Sequence, residues 1–213
     1  MGKSKRNKKM KITERILLVI LILALAMKFA YLPGADILLI LSIGILSIVY
    51  SSVGFALFNG IGLRDLFSGG AFKNTNAKKI IGAIATGFAL SITTLGILFK
   101  IQSYPGANVM LYTGLVLLGI ILIIVLLKMI KNRSRYYTRI LIKVLAFGLF
   151  ALLLLFTPSK TRLTLNFPNH PEYVQALIDL EKDPGNDALI FKVEEERSKM
   201  IEEQAGMREK QNQ

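Results

Sequence analysis

Between positions 16 and 156 the chain is a succession of five apolar stretches, and most of its charge lies outside or between them. Each stretch is roughly 17 to 23 residues long, and at ~1.5 Å per residue such a helix crosses a hydrocarbon core of ~30 Å. The stretches cover 16–32, 36–58, 80–99, 109–127 and 140–156. One water-soluble core has no use for so many uninterrupted apolar runs, so they read as transmembrane helices. The expected fold is an all-α membrane protein of five transmembrane helices, including two repeated helical hairpins, with a C-terminal helical tail. A hydrophobic content of 53% excludes a disordered basic tail protein, and the lack of cysteine excludes a disulfide scaffold or a thiolate zinc site.

A net charge of +13 would otherwise suggest a nucleic-acid binder, but its distribution points to topology. The arm 1–15 carries Lys3, Lys5, Arg6, Lys8, Lys9, Lys11 and Arg15. The connection 59–79 carries Arg64, Lys73, Lys78 and Lys79, and the connection 128–139 carries Lys128, Lys131, Arg133, Arg135 and Arg139. The first and third connections have one nearby cation each, Lys28 and Lys100. Positive residues in short loops stay on the cytoplasmic side, so the N-terminus is expected inside and the C-terminus outside. The segments are then a basic cytoplasmic arm (1–15), a first hairpin (16–58), a cytoplasmic loop (59–79), a second hairpin (80–127), a basic cytoplasmic loop (128–139), a fifth span (140–156) and a periplasmic tail (157–213). That tail holds eight basic against eleven acidic residues, while only Glu14, Asp36 and Asp65 are acidic before it. The basic start and Ala24-Leu25-Ala26 resemble a signal peptide, but the apolar run continues past Ala26, so the segment is expected to stay.

The most specific feature is internal. Met27–Asp36 aligns without gaps on Phe99–Asn108, so that Lys28, Pro33, Gly34 and Ala35 recur as Lys100, Pro105, Gly106 and Ala107 at an offset of 72 residues. Asp36 falls on Asn108. Both copies start from the same side of the membrane, which makes them parallel repeats. Pro-Gly suits the centre of a tight turn, and the residue before Pro is steered away from helix. Asp36 and Asn108 are expected to cap the returning helices, and Lys28 and Lys100 to face helix C-termini and reach toward headgroups. Lys28, Pro33, Gly34, Asp36, Lys100, Pro105, Gly106 and Asn108 are therefore the candidates for a partner- or lipid-binding surface at the hairpin tips.

The run Phe99-Lys100-Ile101-Gln102-Ser103-Tyr104-Pro105-Gly106-Ala107, with Asn108 to Leu111 and Gly114 after it, resembles a hairpin of small Bacteroidota membrane proteins. There it typically reads Phe-Lys-Ile-x-His-Trp-Pro-Gly-Ala, and it is similar to the helical hairpin of the L subunit of the gliding-motility/type IX secretion motor. The resemblance covers about 40 residues per copy. It implies an inner-membrane protein in an envelope complex, bundled with a partner's helices. A proton-driven motor role is not implied, because no Asp or Glu lies in the interior of a span and Ser103-Tyr104 replaces His-Trp.

Little else in the sequence carries chemistry. Ionisable residues inside a span are the default functional candidates, and Lys143, one turn inside the fifth span, reads as an interfacial anchor. Hydroxyls at Ser47, Tyr50, Ser51 and Ser52 and at Thr86, Ser91, Thr93 and Thr94, and small residues at Ala83/Gly87/Ser91 and Ser47/Ser51, read as helix packing and interhelical hydrogen bonds rather than a polar pathway. His170 is the single histidine, near a helix start with Pro171 at the first turn, and cannot build a metal site alone. No catalytic or nucleotide-binding motif occurs, so no enzyme activity and no cofactor are expected. In the tail, 162–167 alternates and suggests an extended segment, 171–182 and 187–205 suggest helices with Asn186 or Asp187 as cap, and 206–213 should fray. The function expected from the sequence is a non-catalytic assembly or interaction subunit of a bacterial inner-membrane complex. Its partners would be the lipid bilayer and a membrane or periplasmic protein, with no nucleic acid. The rival is a small transporter or channel built on the duplicated hairpin.

Overall fold

The computed structural model describes residues 2–59, 77–104, 106–131 and 134–211. Most of the expected loop 59–79, with its apolar-basic stretch 61–67, and Pro105 lie outside the described residues. Among those described, the chain is all-helical: α1 (Gly2–Phe29), α2 (Ala35–Asn59), α3 (Ala77–Ile101), α4 (Ala107–Lys131), α5 (Arg135–Phe156), α6 (Ser159–Asn166), α7 (Pro171–Lys182) and α8 (Asp187–Gln211). They form two compact units, Met1–Phe156 and Thr157–Gln213.

Among the described residues, four helices of the first unit, α2 to α5, are long and apolar enough to cross a membrane, with segments Ala35–Gly54, Lys79–Ile101, Ala107–Lys131 and Arg135–Phe156. They coincide with the second to fifth expected spans. α1 is not among the four: its apolar run is bounded by Glu14 and Arg15 at one end and Lys28 at the other. The basic arm and the first expected span are a single helix rather than two segments. The outward faces are apolar, with Ile37, Val109, Ile130 and Leu153 each more than 60% exposed. So much aliphatic surface is the finish of a multi-pass membrane protein, in which lipid solvates the outer face.

α3 is the centre of this bundle. It packs on α2, α4 and α5, while α1 flanks α2. Its apolar segment is 56% buried, against 22% for α5. Close approach explains this. The small residues Ala83, Gly87 and Ser91 present one stripe of α3 to α2, where the Ser47 and Ser91 hydroxyls meet at 2.6 Å. A Cβ on Gly114 of α4 would stand 2.6 Å from Thr93 Oγ1 and 2.7 Å from Thr93 Cα, so only glycine lets α4 lie so near α3. Thr86, Thr93 and Thr94 donate to carbonyls one turn back, at 2.6, 2.8 and 2.6 Å. Their hydroxyls are thus satisfied within their own helix, in keeping with packing rather than a pathway.

In the second unit, 162–167 is not extended: Arg162 to Asn166 belong to helix α6. The alternation there is too short to impose a strand, and Arg162 is buried with its guanidinium donating to Ser159 Oγ at 2.9 Å. Desolvation lowers the Arg162 pKa, partly offset by Glu181. α7 matches the expected helix, with Pro171 in its first turn, and packs Val174 and Ala176 inward. Asn186 is the cap of α8, its Oδ1 accepting from the Ala188 and Leu189 amides at 3.1 and 3.4 Å. Helix α8 runs through Gly206 to Gln211, beyond the fraying point expected from the glycine. His170 Nδ1 lies 3.5 Å from a Glu203 carboxylate oxygen, a tertiary contact within this unit rather than a metal site.

Candidate functional site

The two hairpin turns adopt one geometry. α1 ends with the Leu32 amide on the Met27 carbonyl at 2.9 Å and the Tyr31 amide on Lys28 at 3.1 Å. α3 ends with the Tyr104 amide on Phe99 at 2.9 Å and the Ser103 amide on Lys100 at 3.3 Å. These paired bonds are Schellman closures, and they place Tyr31 (φ 54°) and Ser103 (φ 56°) in the left-handed region. The helices therefore stop before the residue that precedes proline has any influence. Gly34 (φ 84°) and Gly106 (φ 77°) supply the second positive φ, and the Ala35 and Ala107 amides return to Leu32 and Tyr104 at 3.4 and 3.3 Å. Around Pro33 and Gly34 this is a type II turn. An aromatic side chain in the left-handed region is strained, so Tyr31→Gly should raise stability by about 1 kcal/mol. Thermal unfolding in detergent measures it.

Asp36 and Asn108 are not caps. The chain enters α2 at Ala35 and α5's predecessor α4 at Ala107, so these side chains lie in the first helical turn and point across the hairpin. Asp36 pairs with Lys28, and Asn108 Oδ1 accepts from Lys100 Nζ at 2.5 Å. Lys100 is 4% exposed, so this ammonium turns inward rather than toward headgroups. A helix C-terminus leaves carbonyl charge that favours a cation, and the side chain eight residues on completes its coordination. Asp36 Oδ1 also accepts from Gln102 Nε2 at 3.0 Å, which joins the first turn to the second. Of the expected tip residues, Lys28 with Asp36 and Lys100 with Asn108 are thus brought together in pairs. Gly34 and Gly106 shape the turns, Pro33 is exposed beside Gly34, and Pro105 lies outside the described residues. Around them Phe29, Tyr31, Leu32 and Tyr104 are exposed.

A second cluster was not anticipated. Glu14, expected in the basic arm outside the spans, is 7% exposed and is the only buried carboxylate among the described residues. It pairs with Lys143 of α5 and accepts a hydrogen bond from Tyr50 Oη of α2 at 2.8 Å. The Lys143 ammonium lies 5.4 Å from the Tyr50 ring centroid and 5.2 Å from that of Phe58, and Phe147 meets Tyr50 edge-on at 5.6 Å. Lys143 is therefore tied into the bundle, its ammonium turned onto Glu14 of α1 and the Tyr50 and Phe58 rings of α2. The missed signal was phase: Glu14 lies in register with Leu17, Leu21 and Ala24, all buried on one stripe of α1. The cluster lines a cavity of about 720 Å³ between α1, α2 and α5. No group of His, Cys, Asp and Glu able to hold a metal ion occurs among the described residues. No family model, curated protein or solved structure matches the chain.

Proposed function

We propose that the chain is a non-catalytic assembly or interaction subunit of a bacterial inner-membrane complex, engaging a membrane or periplasmic protein through its two hairpin tips. The observation that carries this reading is the Gln102–Asp36 hydrogen bond. It makes one surface of two turns, with Tyr31, Leu32 and Tyr104 exposed on it. Aromatic side chains around a small polar centre are the usual anchors of protein interfaces. Equal backbone hydrogen bonding at the 72-residue offset supports reading the hairpins as a repeat, and the kinship with the motor L-subunit hairpin belongs to the same proposal. The fifth span would be α1. Of the charges that bound its apolar run, Glu14 is matched by Lys143 and Lys28 by Asp36, which lowers the cost of placing those two at membrane depth. The N-terminus is cytoplasmic and the C-terminus periplasmic on the distribution of Lys and Arg.

The test is purification of the full chain from its native membrane in mild detergent. A partner should co-purify at fixed stoichiometry, and Tyr31→Asp with Tyr104→Asp should cut its yield at least tenfold while leaving the chain folded. Undiminished partner yield from the double variant would overturn the tip assignment. Solute flux through the isolated protein in liposomes would favour the transporter instead. Orientation is read separately in this cysteine-free chain. An impermeant thiol reagent on intact spheroplasts should label Ser159→Cys but not Ser134→Cys.

A further inference from the structure

The cavity beside Glu14 has the shape and polarity of a lipid slot. Its wall runs along α1 from Glu14 to Leu25 and along α5 from Arg139 to Phe150. Twelve residues of helix on each side, a separation of eleven rises, give a length of ~16 Å, and half of a ~30 Å hydrocarbon core is ~15 Å. The charged lining residues, Glu14, Arg15, Arg139 and Lys143, all fall in the first turns of that length. Beyond them the wall is apolar, through Leu21, Leu25, Ala146 and Phe150. Ile22 and Ile142 on the lining are 67% and 62% exposed, so the slot opens sideways where bilayer lipid would stand. Its volume of about 720 Å³ falls within the ~300–1,000 Å³ typical of ligand pockets.

The charge at the head of the slot selects the ligand. Glu14 is committed to Lys143 and Tyr50. Arg15 and Arg139 are exposed and have no carboxylate partner among the described residues. Two guanidinium groups at the mouth of an apolar channel one leaflet deep match a phosphodiester followed by an acyl chain. We propose that this slot holds one anionic phospholipid, its headgroup phosphate on Arg15 and Arg139 and one acyl chain between α1 and α5. The bound lipid would fill the gap between these helices and stabilise the seating of α1. This depends on the chain being a membrane protein but not on what the hairpin tips bind.

Native mass spectrometry of the delipidated full-length protein in mild detergent tests the proposal, with phosphatidylglycerol and phosphatidylcholine of identical acyl chains as probes. One phosphatidylglycerol per chain should be retained at a concentration at least tenfold below that needed for phosphatidylcholine. Arg15→Gln with Arg139→Gln should remove that preference, and Ala146→Phe, which projects a ring into the slot, should reduce retention of both lipids. Equal retention of the two lipids by the natural chain, or an unchanged preference in the double arginine variant, would overturn it. Should Ala146→Phe fail to fold, the arginine pair still decides, since both side chains lie on the surface.

Discussion

Glu14→Gln and Lys143→Met, made singly, should each destabilise the helical bundle by about 3–5 kcal/mol, the usual cost of stranding one partner of a buried ion pair. Made together they should lose far less, because neither charge is then left without its counter-ion in an apolar site. Glu14 bridges α1 to both α2 and α5, so the single variants should also loosen α1. Thermal unfolding in detergent gives the stabilities, and proteolysis near the N-terminus reports on α1. Single variants as stable as the natural protein would mean that the pair is solvated and structurally idle. Tyr50→Phe should be milder, about 1–2 kcal/mol, since it removes one hydrogen bond to a charged acceptor and leaves the ring contacts.

Gly87→Ala should cost about 3 kcal/mol, the upper end of the usual overpacking penalty. The added Cβ would strike the Tyr50 carbonyl oxygen and lie 3.4 Å from Gly54 Cα, and backbone cannot swing aside as a side chain does. α2 and α3 would have to part, and the Ser47–Ser91 hydrogen bond between them would lengthen. Gly44 of α2 provides the contrast. It has nothing within 4 Å of an added Cβ, so Gly44→Ala should be neutral or stabilising by up to about 1 kcal/mol. A neutral or stabilising Gly87→Ala, matching Gly44→Ala, would show that helix propensity, rather than the close approach of α2 and α3, governs the effect.

The apolar stretches were legible because length and hydrophobicity act locally, and four of the five coincide with helices suited to a membrane. The stripe Ala83/Gly87/Ser91 was legible for a similar reason, since small residues at helical spacing announce close packing. Helix ends were less so. The sequence pointed to Pro33 as the stop, whereas the chain turns two residues sooner at Tyr31, a residue with no intrinsic preference for that conformation. Tertiary choice also moved Asp36 from capping to pairing with Lys28. The Glu14–Lys143 pair spans 129 positions, and no local pattern joins residues so far apart. Only the phase of Glu14 with Leu17 and Leu21 marked it as inward-facing, and its basic neighbours hid that signal.

The difference between Asp36 and Asn108 bears on how the two hairpins reach their places. A tip carried across the bilayer takes its charge with it, and each elementary charge moved against 100 mV costs about 2.3 kcal/mol. The stretch 27–36 holds one cation and one anion, Lys28 and Asp36, which pair, whereas the matching stretch 99–108 holds Lys100 and no acidic residue of its own, with Asn108 where Asp36 stands. In the orientation proposed above, the membrane potential is nearly indifferent to the first hairpin and resists the second. In that orientation the carboxylate-to-amide difference between the two turns would make the voltage across the membrane weigh on inserting the second hairpin more than the first.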